Sequence, residues 1–142
     1  MMAEVSILLV EDDEVDVKAV KRALRELKIA NHLVRAADGI EALEILRGEN
    51  GKQMLPRPHI ILLDLNMPRM GGLEFLAELR RDPDLQRSSV FVMTTSSAEE
   101  DRFRAYDQHV AGYVLKHSPA RSFLDAVAVL EHYWRIIELP ER

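Results

Sequence analysis

Val5-Ser6-Ile7-Leu8-Leu9-Val10-Glu11-Asp12-Asp13 is the stretch on which the fold turns. Its first part is almost wholly apolar and rich in β-branched residues, without the alternating polarity of a strand that has one wet face. Such a run fits a strand buried on both sides, which is the situation of strands in parallel sheets flanked by helices. It stops abruptly at three acidic residues. Val17, Val20, Leu24 and Leu27 then recur at helical spacing, and the pattern predicts a helix to about Lys28.

The same strand-then-helix sequence repeats outward from there. Asn31 to Ala36 reads as a second strand, Asp38-Gly39 as a turn, and Ile40 to Leu46 as a short helix. A polar loop from Gly48 to Pro58 leads to His59-Ile60-Ile61-Leu62-Leu63, a third strand that ends at Asp64. Pro68, Gly71 and Gly72 mark a turn into a helix through Arg80, which Asp82-Pro83-Asp84 breaks. Val90-Phe91-Val92-Met93 is a fourth strand, ending at Thr94-Thr95-Ser96-Ser97, and a polar helix follows from about Ala98 to Gln108. Gly112-Tyr113-Val114-Leu115 is a fifth strand ending at Lys116, and Pro119 opens a last helix at a position that tolerates proline. This order predicts an α/β fold, a doubly wound five-stranded parallel sheet with helices on both faces. A Rossmann-type nucleotide fold has the same element order. Its glycine-rich turn, however, would stand where Glu11-Asp12-Asp13 stand here.

A length of 142 residues fits one domain. The composition, 47% apolar and 30% charged, belongs to a globular chain and not a disordered one. The absence of cysteine removes disulfides, thiolate nucleophiles and cysteine metal sites. A net charge of -5 argues against a nucleic-acid binder. No secretory leader and no bilayer-length apolar run is visible, so the expectation is a cytoplasmic protein that does not engage a membrane.

In open α/β sheets the ligand site lies beyond the carboxyl ends of the strands. Those ends deliver Glu11 and Asp12, then Asp64, Thr94 and Lys116. Crowded carboxylates resist ionising together. A hard divalent cation relieves that, and oxygen-only ligands favour Mg²⁺. Lysine and threonine at the same rim can engage phosphate oxygens, so the rim suits a phosphoryl group on a carboxylate. Each residue alone has a plainer reading. Asp12 or Asp13 could cap the first helix, Thr94 to Ser97 could cap the fourth, and a lysine after a strand is usually solvated. The coincidence of all of them on one rim favours chemistry, while Asp13 reads mainly as a cap.

At these residues the chain resembles the receiver domain of two-component response regulators, which have a flavodoxin-like fold. The likeness rests on Ile7-Leu8-Leu9-Val10-Glu11-Asp12, Leu62-Leu63-Asp64-Leu65-Asn66-Met67-Pro68 with Gly72, Val92-Met93-Thr94-Thr95, and Gly112-Tyr113-Val114-Leu115-Lys116. It implies that Asp64 accepts a phosphoryl group from the phosphohistidine of a sensor histidine kinase. It also implies Mg²⁺ held by Asp12, Asp64 and the Asn66 carbonyl, with Glu11 acting through a metal-bound water. Lys116 and Thr94 would contact the phosphoryl oxygens, and Thr94 and Tyr113 would form the switch. Two departures stand out. His117-Ser118 precedes Pro119, where many receivers have proline directly after the lysine, which implies a trans Lys116-His117 bond. Thr95 stands where a smaller residue is common, which bears on access to the phosphoryl group.

The expected organisation is one receiver domain over 1–142, with a core of about 5–130 and a C-terminal extension of the last helix over 131–142. No output domain is expected. In the last helix Phe123, Ala126, Val127, Val129, Leu130, Tyr133, Trp134, Ile136 and Ile137 share an apolar arc of roughly half the circumference, wider than the stripe of about 100° a helix usually buries. The plain reading is an intramolecular wrap. The sharper one is a homodimer with Tyr133, Trp134 and Ile137 in the interface. The tail, the 48–58 loop and Thr94-Thr95-Ser96-Ser97 resemble the single-domain regulators that pair with bacterial phytochromes.

Other chemistries fit less well. A haloacid-dehalogenase phosphatase needs a second aspartate where Asn66 stands, and a P-loop fails because Gln53 follows Gly51-Lys52. The histidines are scattered and read as surface or hydrogen-bonding residues. A degenerate receiver serving as a phosphorylation-independent interaction module is the remaining alternative, opposed by the intact acidic pair, Asp64, Thr94 and Lys116.

Overall fold

β1 (Ser6–Val10) and β3 (His59–Leu63) are buried at every residue, as their unbroken apolar runs require. They form the middle of the sheet in the computed structural model, which describes residues 4–95, 98–116 and 128. The remaining elements are α1 (Glu14–Glu26), β2 (Leu33–Ala36), α2 (Gly39–Arg47), α3 (Gly72–Arg81), β4 (Ser89–Thr94), α4 (Glu99–Asp107) and β5 (Gly112–Leu115). The strands are ordered β2-β1-β3-β4-β5 and every pairing is parallel. Strand order reverses between β1 and β3, the switch point at which open α/β sheets place their site.

Alternation along the strands divides the core in two. Leu8, Val10, Ile61 and Leu63 face α2 and α3, where Phe75, Leu76 and Leu79 are completely buried. Ile7, Leu9, Ile60 and Leu62 face α1, which contributes Val17, Val20, Ala23 and Leu24. Val10 pairs with Leu63, and Leu63 with Val92, so the central strands end level with one another. Backbone bonds continue the pattern past the strand ends, with Asp64 N to Val10 O at 3.0 Å and Lys116 N to Thr94 O at 2.8 Å. Register alone therefore brings the first residues beyond β1 and β3 side by side.

Several boundaries differ from the sequence reading for local reasons. α1 ends at Glu26 because Lys28 takes a positive φ of 58° and turns the chain. β2 begins at Leu33 because Asn31 is used elsewhere, its side-chain amide donating to Val5 O at 2.8 Å. The 48–58 loop packs along α2: Gly48 closes that helix in the left-handed conformation, and Leu55 is buried with its N–H on Ile45 O. Apart from residue 128, the last helix expected from Pro119 and its extension lie outside the described residues, as do residues 96–97. Among the described residues no helix is long and apolar enough to cross a membrane.

Candidate functional site

Glu11 and Asp64 leave the sheet from neighbouring strands and stay almost buried, at 2% and 7% exposure, while Asp12 opens to solvent. Ligand oxygens of these three carboxylates lie within 4.8 Å of one another. Lys116, from the end of β5, reaches across the rim. Its Nζ lies 2.5 Å from Glu11 Oε1, 2.9 Å from Asp16 Oδ2 and 3.6 Å from Asp64 Oδ2. This lysine is ion-paired and half-buried, not solvated as a lysine after a strand usually is. Thr94 is fully buried at the end of β4. Tyr113 is half-buried on β5 and packs on the α2–α3 core. Asn66 is exposed in the loop two residues beyond Asp64. Tyr133, Trp134 and Ile137 lie outside the described residues.

Asp13 is a helix cap, as expected, accepting from Val15 N at 2.8 Å and Asp16 N at 3.4 Å. That identifies the residue the sequence reading missed. Asp16 is the third residue of α1, where Cβ leans back toward the helix start, so its carboxylate meets Lys116 at the rim. An acid three residues after a capping aspartate was the available signal. The N-cap position of α4 is Ala98, and Ser96 and Ser97 lie outside the described residues.

Burial pushes the Glu11 carboxyl up to about 9, with Asp16 and Asp64 adding to the rise and the Lys116 hydrogen bond opposing it. Burial pulls Lys116 down, but its bonds to Glu11 and Asp16 outweigh that and hold the ammonium above its usual value. Burial raises Asp16 too, yet bonds with Glu11 and Lys116 leave it below the ordinary carboxylate range. Glu11 Oε2 and Asp64 Oδ1 are buried without hydrogen-bond partners among the described residues. Unpartnered carboxylate oxygens beside a third carboxylate, with no nitrogen or sulfur donor among them, fit a hard divalent cation such as Mg²⁺.

The loop after β3 is tied down on its far side. Asp38 caps α2 through Glu41 N at 2.9 Å and also accepts from Arg69 Nε at 2.6 Å. Gly39 N donates to Met70 O and Gly72 N to Leu65 O. Gly72 admits no side chain, since a Cβ there would stand 2.5 Å from the Asp64 carbonyl oxygen. Away from the rim, His59 is buried at the opposite end of β3 and bonds Ser88 Oγ at 3.0 Å, as a hydrogen-bonding histidine should.

An open parallel sheet whose switch point carries an acid cluster, an aspartate, a threonine and a lysine is the architecture of a phosphoryl receiver. Residues 7–128 match the family model of the response regulator receiver domain, and the chain belongs to that family. Among its relatives, the response regulator Rcp1 of Synechocystis sp. is 38% identical over 128 residues, which are 90% of this chain and 87% of Rcp1. The phosphorylated cyanobacterial phytochrome response regulator RcpA superposes with a TM-score of 0.87 at 38% identity, over 97% of this chain and 99% of that one. The Mn²⁺-bound form of Rcp1 does so with a TM-score of 0.85 at 37% identity, over 97% and 99% of the two chains. The role of the chain is that of a receiver in two-component signalling.

Proposed function

We propose that Asp64 is the phosphoacceptor, and that Mg²⁺ is held by Asp12, Asp64 and the Asn66 carbonyl with Glu11 behind a bound water. One observation carries this reading: the carboxylates of Glu11, Asp12 and Asp64 converge within 4.8 Å, with the Lys116 ammonium 3.6 Å from Asp64. A carboxylate oxygen of Asp64 attacks the phosphorus of a phosphohistidine. The P–N bond breaks, the imidazole leaves with its electron pair, and an acyl phosphate remains on Asp64. When bound, Mg²⁺ neutralises charge on the phosphoryl oxygens. Lys116 turns from its carboxylate partners toward the incoming phosphoryl oxygens, and the Thr94 hydroxyl donates to them. Thr94 and Tyr113 then shift together, altering the surface around α4 and β5. Hydrolysis of the acyl phosphate by water resets the switch, and no other catalysis is assigned.

The donor is a sensor histidine kinase, and the likeness to Rcp1 and RcpA favours a bacteriophytochrome. The proposed setting is the cytoplasm. The broad apolar arc of the C-terminal sequence supports a homodimer through Tyr133, Trp134 and Ile137. Trp134→Ala with Ile137→Ala should give monomers by analytical ultracentrifugation that still take up phosphate.

Labelling from a radioactive small-molecule phosphodonor tests the acceptor. Wild type should take up label only with Mg²⁺, and Asp64→Asn should take up none while its thermal stability holds or rises, one repelling carboxylate being gone. Full labelling of that variant excludes Asp64. Absence of labelling in wild type favours the phosphorylation-independent interaction module instead.

A further inference from the structure

Arg35 has no part in the phosphoryl chemistry above, yet it grips the loop that carries two of the three carboxylates of the proposed metal site. It stands on the edge strand β2, opposite Leu9 of β1. Its Nε donates to the backbone oxygen of Glu11 at 2.8 Å and its Nη2 to that of Asp12 at 3.1 Å. Its Nη1 pairs with Glu14 Oε1 at 2.8 Å. The guanidinium fork thus spans two successive peptide carbonyls at the point where the chain leaves β1 and turns into α1.

We propose that Arg35 is a positioning residue for the metal site: by holding the Glu11 and Asp12 carbonyls it sets the peptide from which the Asp12 carboxylate is aimed at the cation. The inference rests on the Mg²⁺ reading given above. Of the three carboxylates Asp12 most needs such help. Asp64 is held by its backbone bond to Val10, and Glu11 is buried and bonded to Ala36 and Lys116. Asp12 lies beyond the last strand bond and faces solvent. Groups that orient metal ligands without touching the metal govern affinity strongly, because a ligand free to wander must be ordered on binding. A planar fork with several fixed donors suits this task, whereas a lysine offers one flexible point charge.

Charge alone makes the opposite forecast. A guanidinium near a cation site repels the cation, so its removal should tighten binding. The exposed Glu14 carboxylate offsets that charge without touching the two carbonyl bonds. The two effects can therefore be told apart by sign.

The test is calorimetric titration of MgCl₂ into the full chain and its variants, each checked by circular dichroism in chelator. Asp12→Ala serves as the reference for loss of a ligand. Arg35→Ala and Arg35→Lys should both weaken Mg²⁺ binding, by about tenfold, the low end of what loss of an orienting partner costs. Glu14→Gln should stay within about twofold of wild type, as a screened surface pair should. In small-molecule phosphodonor assays the Mg²⁺ concentration for half-maximal labelling should rise in the Arg35 variants, while the rate at saturating Mg²⁺ recovers. If Arg35→Ala fails to fold, Arg35→Lys carries the test. Unchanged or tighter Mg²⁺ binding in the folded Arg35 variants overturns the proposal and leaves the metal reading standing. A wild type that binds no Mg²⁺ overturns both.

Discussion

At the scale of the residue, the rim is governed by how little space and water it has. Gly72 shows the steric side. A Cβ there would meet Asp64 O at 2.5 Å and Leu65 Cα at 2.6 Å, both parts of a backbone held by the central strand. Neither neighbour can swing away, so Gly72→Ala must displace the start of α3. The expected cost is about 2 kcal/mol of unfolding free energy, measured by urea titration, with slower labelling of Asp64. An unchanged midpoint would show that the turn has slack. The chemistry-bearing residues that follow strands directly were legible in the sequence, because a strand's end dictates where they stand. Asp16 and Arg35 were not. Asp16 reads as an ordinary acid in a helix's first turn, and its partner Lys116 lies 100 residues away. Arg35 reads as an outward-facing residue of an edge strand, and nothing local says that its target is the loop after β1.

At the scale of the element, α4 is the loosest of the described helices. Only Ala105 is buried along it, and its N-cap position, Ala98, has no side chain that could cap. Its other end is tied by Arg80 of α3, which donates to Gln108 O at 2.7 Å and His109 O at 3.1 Å. The same guanidinium bonds Gln86 O and Ser88 O, each at 2.8 Å, and so links α3 to the start of β4 as well. Arg80→Met keeps the aliphatic stem and strands several carbonyls. It should cost about 3 kcal/mol and speed hydrogen exchange through Ala105 and Asp107. Exchange unaltered in α4 would mean that the clamp serves only the α3–β4 connection. The bounds of β3 and β5 were legible to the residue, since both are short apolar runs with polar stops. The start of β2 and the end of α1 were not, since a side-chain bond from Asn31 to Val5 O and a positive φ at Lys28 decide them.

At the scale of the whole molecule, stability should depend on pH through His59. Burial, with the nearby Arg57 charge adding, holds this imidazole at about 4, against an ordinary value of 6.5. It is neutral in the folded chain, and the unfolded chain binds the proton first. Its contribution is therefore complete above pH 6.5 and is lost as the pH falls toward 4. The full loss across that window is about 3 kcal/mol, roughly half of it by pH 5. Unfolding free energies measured between pH 7 and 4.5 should fall less steeply in His59→Gln than in wild type. Equal slopes would assign the acid sensitivity to other groups.

The ion pair between Lys116 and Glu11 joins residues 105 positions apart, from the first strand and the fifth. A ribosome making this chain releases the acids of the pocket early and their only ammonium partner among the described residues late. Until β5 has docked on β4, the buried carboxylates lack that counter-charge. On the proposed reading of Asp64 as acceptor, a copy whose β5 has not docked should take up little label.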